Sequence, residues 1–301
     1  MKNLRMTLLS SLLCVVAASA GDLGQTGNVY PLGAEGIDAA SIPPPGLYLR
    51  WYTFEIHATT LRDSTGNTVP VGFNVNVLAT APRLIWITKK KFLGADVGMD
   101  LLVPIEDINL KIAAESFKQN SVSIGDLYID PVLLSWHGKH YDAAVAPSFF
   151  APTGTWDPQS ATKAGSDEWT IMPTFGATWY PDAKKKWSAS ALGRYEFHAT
   201  KEDVAVKMGD DFHVEYGLAN AVRPTLKIGA VGYTQWKVTE DSGKDVTWDA
   251  SVKDRVFASG VEVMKVFPKQ MFFVQLRGLL EYGARGRSQG QAVVLVLTKR
   301  L

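Results

Sequence analysis

The sequence has 301 residues and a nearly balanced charge, with 31 Lys and Arg residues against 30 Asp and Glu residues. This balance excludes a dedicated nucleic-acid-binding protein, which needs a concentrated basic face. The single cysteine, Cys14, lies within the first twenty residues, so the rest of the chain contains no disulfide, thiolate nucleophile or thiolate metal site.

The first twenty residues predict a cleaved signal peptide. Lys2 and Arg5 form a basic start, Met6–Val16 is apolar, and Ala18-Ser19-Ala20 fits the small-residue cleavage pattern, so we expect the mature protein to begin at Gly21. Without this segment the charge is 29 basic against 30 acidic residues. We therefore expect export from the cytoplasm.

Period-two alternation of apolar and polar residues runs through most of the remaining chain. Apolar positions from Leu93 to Val103 alternate with Gly94, Asp96, Gly98 and Asp100. Because side chains of a strand alternate between faces, this pattern predicts strands with one apolar and one polar face. The longest apolar run, Ala292–Leu297, is too short for a transmembrane helix.

About twelve strands are predicted, each near the length that a tilted membrane-spanning strand requires. They cover Leu47–Ala58, Val71–Ile87, Phe92–Pro104, Ile124–His137, Tyr141–Ala151, Trp169–Tyr180, Trp187–His198, Asp211–Ala221, Thr225–Val238, Asp254–Phe267, Met271–Gly283 and Gln291–Leu301.

The predicted connections alternate between short and long. The tight connections are Thr88–Lys91, Gly138–His140, Pro181–Lys186, Val222–Pro224 and Pro268–Gln270. The long polar connections are Thr59–Pro70, Ile105–Ser123, Pro152–Glu168, Ala199–Asp210, Thr239–Lys253 and the shorter Ala284–Gly290. Outer-membrane barrels have short periplasmic turns and long outer loops, so the pattern predicts an all-β, transmembrane, antiparallel up-and-down β-barrel with both termini in the periplasm. A soluble all-β domain is the alternative.

Aromatic residues near the proposed strand ends favour the same interpretation, because interfacial girdles of barrels are rich in Trp and Tyr. These residues are Trp51, Trp86, Trp136, Trp169, Trp179, Trp187, Tyr180, Tyr195, Tyr233 and Tyr282. The expected organisation is a signal peptide at 1–20, a Gly- and Pro-rich lead-in at 21–46 and the barrel at 47–301. The lead-in is either a periplasmic tail or a plug folded into the lumen.

Several local motifs occur in a characteristic order along the chain. They include Pro43–Tyr48, Gly125-Asp126 running to Pro131 and Trp136, Pro152-Thr153-Gly154, Gly232-Tyr233, and Tyr282 through Gly290. This order resembles the putative phenol-degradation meta-pathway family of outer-membrane proteins, over nearly all of the mature chain. The resemblance implies a β-barrel in the outer membrane of a Gram-negative cell that helps hydrophobic or aromatic compounds to cross, and it implies no catalytic residues.

Ionisable residues share one face of several predicted strands. Since a charge near mid-bilayer costs on the order of 2–4 kcal/mol, these faces are expected to line the lumen, with opposite charges forming internal ion pairs. The lumen-lining candidates are Asp96, Asp100, Arg194, Glu196, His198, Asp211, His213, Glu215, Gln275, Arg277 and Glu281.

Two further function classes remain open beside a channel or uptake protein. One is a plugged structural or binding barrel that uses its outer loops. The other is a barrel hydrolase built on Asp210, Asp211 and His213, although chemistry there requires a base poised beside a water. The histidines show no metal-binding spacing, so we expect no metal and no cofactor. The expected partners are outer-membrane lipid and small hydrophobic or aromatic solutes, not nucleic acid.

Overall fold

A computed structural model describes residues 26–301, so the predicted signal peptide lies outside the described residues. Within these residues the chain forms fourteen antiparallel β-strands in one sheet. The strands are β1 (Gly46–Leu61), β2 (Phe73–Phe92), β3 (Ala95–Leu102), β4 (Ile105–Ile112), β5 (Phe117–Ile124), β6 (Leu127–His137), β7 (Tyr141–Ala151), β8 (Thr170–Trp179), β9 (Trp187–His198), β10 (Asp211–Arg223), β11 (Leu226–Lys237), β12 (Arg255–Phe267), β13 (Phe272–Arg285) and β14 (Ser288–Arg300). Among the described residues, no helix is long and apolar enough to span a bilayer.

Twelve of these strands close into a barrel. The first strand pairs with both the second and the last, so that Tyr52 lies opposite Ala81 on one side and Val296 on the other. The order around the ring is β1, β2, β3 and then β6 through β14. Closure leaves no unpaired edge in the ring, which satisfies the backbone polar groups within the sheet. The predicted twelve-stranded antiparallel barrel is therefore confirmed.

The segment Ile105–Ser123, predicted as a long loop, instead forms most of a β-hairpin. Strand β4 continues the line of β3 beyond Pro104 and pairs with the first half of β2, while a short 3₁₀ turn at Ala113–Glu115 joins it to β5. Pro104 has no N–H to donate, which explains why the ladder breaks there. The alternation of Ile108, Leu110 and Ile112 with polar neighbours is the strand signal that the prediction missed.

The outer and inner faces of the wall differ sharply in chemistry. Large apolar side chains on the outward face of the strands are exposed, among them Val261 at 65% and Leu280 at 64%. The intervening inward residues are buried and often charged. Of the predicted girdle residues, Trp169, Trp179, Trp187 and Tyr282 are exposed near strand ends; by contrast, Tyr180 and Tyr233 are buried. An apolar band bounded by aromatic rings is the surface that a bilayer requires.

Candidate functional site

Two neighbouring strands carry the densest group of predicted lumen residues. Arg194, Glu196 and His198 alternate along β9, and β10 places Asp211 opposite Glu196 and His213 opposite Arg194. Each of these side chains, and that of Glu215, is at most 3% exposed. Because side chains alternate between the two faces of a strand, all of them lie on the inward face, where the charges are within reach of one another.

The buried ionisable side chains pair with one another instead of forming a row of like charges. Arg194 makes an ion pair with Glu215, His213 Nε2 lies 2.9 Å from Glu196 Oε1, and His198 Nδ1 lies 2.9 Å from Glu168 Oε1. Glu168 is contributed by the end of an outer loop. Paired carboxylates and cations offset the cost of removing each charge from water, so this part of the interior is packed and polar.

A second group lies across β12 and β13. Arg277 Nε is 3.1 Å from Glu262, whose other carboxylate oxygen accepts a 2.8 Å hydrogen bond from Gln275. Glu281, which is half-buried, accepts hydrogen bonds from the Tyr233 hydroxyl and from the backbone N–H of Gly290. Glu262 was not among the predicted residues, although Val261 and Val263 on either side of it signal that it faces inward.

The remaining predicted pair, Asp96 and Asp100, lies on β3. Asp100 accepts two 2.8 Å hydrogen bonds from Arg83, and Arg83 also lies 3.3 Å from Asp130. Asp96 pairs with Lys91 at 2.6 Å, at the start of the strand. The predicted residues therefore do not form one cluster, because β3 is separated from β9 and β10 by three strands.

The wall is irregular beside Asp100. The β3–β6 ladder shifts register between Gly98 and Asp100, and the β6–β7 ladder skips from Ile129 to Leu134. Pro131 lies inside this skipped stretch, and since proline cannot donate to a ladder it accounts for the local bulge.

The N-terminal segment from Gly27 to Ser41 runs through the interior of the barrel. Glu196 accepts hydrogen bonds from the backbone N–H groups of Val29 and Tyr30 at 2.8 and 3.3 Å, and Glu215 accepts one from the Tyr30 hydroxyl at 3.2 Å. The Tyr30 ring stacks on His213 with centroids 5.0 Å apart, and the Arg194 guanidinium lies 3.9 Å above it. The inward charges are thus the binding partners of the segment.

The next part of the segment contacts the opposite side of the ring. The Glu35 carboxylate accepts hydrogen bonds from Arg50 at 3.1 Å and from the Tyr52 hydroxyl at 2.6 Å, and it lies 3.5 Å from Arg83. Arg277 donates to the carbonyl of Gly33 at 3.0 Å. The segment therefore bridges the ring from β9 and β10 to β1, β2 and β13. Sequence patterning does not reveal this, since these partners are distant along the chain.

A cavity of about 560 Å³ remains between this segment and the wall. Its lining combines apolar side chains, including Ile42, Ile85, Leu133 and Leu192, with guanidinium and ammonium groups such as Arg50, Arg83 and Lys184. A separate hollow of about 430 Å³ on the lipid side, lined by Leu84, Trp86, Met99 and Pro131, also reaches Asp100 and Asp130. The two spaces share these two carboxylates, so the bulged wall is thin there.

Several motif positions build one contact between outer loops. The Asp126 carboxylate accepts 2.8 Å hydrogen bonds from the N–H groups of Gly154 and Ser166, and Thr153 accepts one from Leu127 N–H at 3.0 Å. A side chain at Gly154 would lie 2.7 Å from the backbone of Gly125 and of Gly165. We call this contact the Asp126 clasp; it comprises Gly125, Asp126, Thr153, Gly154, Gly165 and Ser166.

Other motif positions have local packing roles. Trp136 donates to the carbonyl of Leu93 at 3.0 Å, while Gly232 lies beneath the ring of Tyr216 with no room for a side chain. Pro152 precedes the clasp in the loop after β7, and the exposed Tyr282 bonds to Ser259 at 3.1 Å.

The hydrolase candidates have other partners. Asp211 contacts Gln235 and His198, His213 contacts Glu196, and Asp210 accepts from the backbone of His198. Asp211 and His213 are both 0% exposed. A hydrolytic base has to reach a water and a substrate, so this arrangement favours a structural role for both. Within residues 26–301, no cluster of three or more His, Cys, Asp or Glu residues is arranged to hold a metal ion.

A family model described as "Putative MetA-pathway of phenol degradation" matches residues 58–297. The chain belongs to this family. The match spans the barrel from the outer part of β1 to near the end of β14, so it agrees with the resemblance of the motifs. No curated protein matches the chain in sequence.

Solved barrels from outer membranes share the fold. An outer membrane channel from Pseudomonas putida F1 superimposes with a TM-score of 0.77 at 13% identity, covering 91% of this chain and 100% of that one. The transport unit of the autotransporter AIDA-I from Escherichia coli gives 0.53 at 10% identity over 85% and 90% of the two chains. The translocator domain of NalP from Neisseria meningitidis gives 0.50 at 10% identity over 88% and 92%. The chain therefore has the fold of outer-membrane barrels.

Proposed function

We propose that this protein is a passive conduit in the outer membrane through which small hydrophobic or aromatic compounds enter a Gram-negative cell. The observation that carries the proposal is the cavity of about 560 Å³ inside the barrel, whose walls mix apolar side chains with charged groups of both signs. Pockets of this size, mostly apolar with a few placed polar groups, suit small organic ligands. The family's description, which names phenol degradation, supports an aromatic solute.

The packing of the lumen supports an apolar rather than a hydrophilic solute. The N-terminal segment and the paired charges of β9 and β10 occupy the space that would otherwise hold a continuous water column. A wide porin retains an aqueous channel because nothing crosses it. A small solute that partitions into an apolar cavity needs no such column, so uptake is compatible with a plugged barrel.

A plugged structural or binding barrel is the second candidate, and one observation favours it. The segment is held by hydrogen bonds to four fully or nearly fully buried residues, namely Glu196, Glu215, Arg277 and Glu262. If these bonds never open, the cavity is a dead end. The two candidates differ in whether a solute bound in the cavity is also released on the other side.

Cavity binding tests the proposal directly. Purified protein in detergent is titrated with toluene, and binding is followed by isothermal titration calorimetry. Ala146→Phe fills the cavity from β7 and is expected to abolish the heat signal. Ala191→Phe adds the same ring to the exposed outer face of β9 and serves as the matched control. Equal binding by both variants would refute the cavity as the solute site.

A further inference from the structure

The rim of the barrel formed by the short turns is strongly basic. At least one cation lies in or directly beside every short turn, and the end of the last strand contributes another; Lys89, Lys90 and Lys91 lie at the end of β2. The exposed cations are Lys89, Lys90, Lys91, Lys139, Lys184, Lys186, Arg223, Lys269 and Lys299. We call this set the basic rim. The only carboxylate within these turns is Asp182, which accepts hydrogen bonds from the backbone N–H groups of Lys184, Lys186 and Trp187.

Most of the basic rim has no carboxylate of its own. Lys91 pairs with Asp96 at 2.6 Å. Within the described part of the chain, no ion pair within 4 Å is formed by Lys89, Lys90, Lys139, Lys184, Lys186, Arg223 or Lys269. Seven unpaired cations on one rim repel one another, and this repulsion is relieved when an external anion binds between them.

A long outer loop differs in sign from the basic rim, so the excess of cations is not a general property of the surface. The outer loop between β11 and β12 carries five carboxylates, Glu240, Asp241, Asp245, Asp249 and Asp254, against the two cations Lys244 and Lys253. Asp241 and Asp254 pair with Lys237 and Arg287, and the remaining charges of this loop leave it slightly acidic, opposite in sign to the basic rim.

Exposed apolar side chains flank the cations at three of the turns. Phe92 and Leu93 follow Lys91, Tyr141 follows Lys139, and Trp187 follows Lys186; these four apolar side chains are 48–77% exposed. Rings and aliphatic groups in this position insert into the hydrocarbon. A neighbouring lysine stretches toward the phosphate level, with its methylene stem along the apolar surface.

We propose that the basic rim binds the phosphate groups of anionic phospholipids in the periplasmic leaflet. The cations encircle the barrel instead of gathering in one sector, which matches a ring of lipids and not a single acidic protein. Each juxtamembrane lysine is attracted to anionic lipid, and this attraction decays over a distance of one Debye length. The inference rests on the membrane placement in the proposed function and is independent of the transport that it assigns.

Lipid selectivity measured by electron paramagnetic resonance tests this inference. The protein is reconstituted in phosphatidylcholine vesicles with a spin-labelled phosphatidylglycerol or phosphatidylcholine probe, and the immobilised fraction of each probe gives their relative association constant. We expect a preference of about fivefold for phosphatidylglycerol at low salt, reduced toward parity in 0.5 M NaCl because salt screens the rim.

Two matched variants locate the preference. The rim variant changes Lys89, Lys90, Lys139, Lys186 and Lys269, none of which lines the cavity, to Gln and is expected to bring the ratio close to one. The control changes five exposed outer lysines, Lys111, Lys118, Lys207, Lys244 and Lys253, to Gln and is expected to keep most of the preference. Heat-modifiable gel mobility verifies that both variants fold.

A ratio unchanged in the rim variant, or no preference in the unmodified protein, would overturn the inference. If the unmodified protein shows no lipid preference, the partner to be sought is an acidic periplasmic protein. Toluene binding is measured on the same samples. If the unmodified protein prefers phosphatidylglycerol but does not bind toluene, only the proposed function is refuted. If it binds toluene but shows no lipid preference, only the inference about the basic rim is refuted.

Discussion

The carboxylate of Glu35 in the N-terminal segment accepts a 2.6 Å hydrogen bond from the hydroxyl of Tyr52 on the first barrel strand. Arg50 lies 3.1 Å from the same carboxylate, and Arg83 lies 3.5 Å from it. Arg83 in turn holds Asp100 beside the bulge in the wall. One glutamate therefore connects the segment that fills the lumen to the least regular part of the barrel.

Replacing Glu35 with Gln is expected to loosen the N-terminal segment. Removal of one partner from a buried ion pair costs about 3 kcal/mol, at the lower end of the usual range because Arg50 is 18% exposed. Planar-bilayer recordings should then show a several-fold higher mean conductance. Glu55→Gln, an exposed change on the outer face of β1, should leave the conductance unchanged. Identical conductance in both variants would mean that Glu35 does not retain the segment.

Lysine substitutions on the outer face should show a cost that depends on depth. Val261 lies in the middle of β12 and is 65% exposed, so Val261→Lys places a charge in the hydrocarbon and should cost about 2–4 kcal/mol. Val222, at the end of β10 beside Arg223, is 51% exposed, and Val222→Lys should cost close to nothing because the ammonium reaches the interface. The folded fraction on an unheated gel measures both. Equal folding would argue against the assigned membrane band.

A methyl group at Gly154 should open the Asp126 clasp. The added carbon would lie 2.7 Å from backbone atoms of Gly125 and Gly165, which have no flexible side chain to move aside. Overpacking of this kind costs about 1–3 kcal/mol. We expect protease to cut the loop between β7 and β8 faster in Gly154→Ala than in the unmodified protein. Gly278→Ala, where the new carbon meets nothing within 4 Å, is the control. Unchanged cleavage would show that the clasp does not order the loop.

The outer loop between β7 and β8 should respond to alkaline pH. Lys163 lies 3.9 Å above the ring of Trp156; burial, together with the charge of Lys201, lowers the pKa of Lys163 from its usual 10.5 to about 8. Between these values the unfolded loop binds more protons than the folded one, so the folded loop gains stability as pH rises through 8.

Nuclear magnetic resonance of ¹³C-dimethylated lysines measures this titration. We expect the Lys163 resonance to titrate with a pKa of about 8, well below the usual 10.5 of a lysine. Lys201→Gln should raise the midpoint, since it removes a neighbouring positive charge. A Lys163 pKa at the usual value of 10.5 would contradict the packed arrangement of the loop.

Much of the barrel wall was predictable, because side chains alternate between the two faces in every strand. Alternation along β9 and β10 predicted that Arg194, Glu196, Asp211 and His213 share an inward face, and the structure buries all four. The role of these residues as the lining of a conduit remains a prediction. The short turns were predictable as well, because Gly, Pro and Lys residues there interrupt the alternation of apolar and polar residues.

Contacts between distant residues were not predictable. Glu35, Arg50 and Arg83 lie in separate stretches that carry no common motif, and they meet only because the barrel closes around the N-terminal segment. The β4–β5 hairpin was missed because Glu106, Asp107 and Lys111 gave the stretch the composition of a loop. In both cases tertiary pairing outweighed local composition.

Uptake by intact cells tests the central claim most directly. Initial rates are compared for labelled toluene and for a labelled sugar of similar mass in two strains of a Gram-negative host, one that produces this protein and one that lacks it. We expect production of the protein to raise the toluene rate several-fold and to leave the sugar rate unchanged. Equal toluene rates in the two strains, or a matching rise for the sugar, would contradict a conduit that selects small apolar compounds.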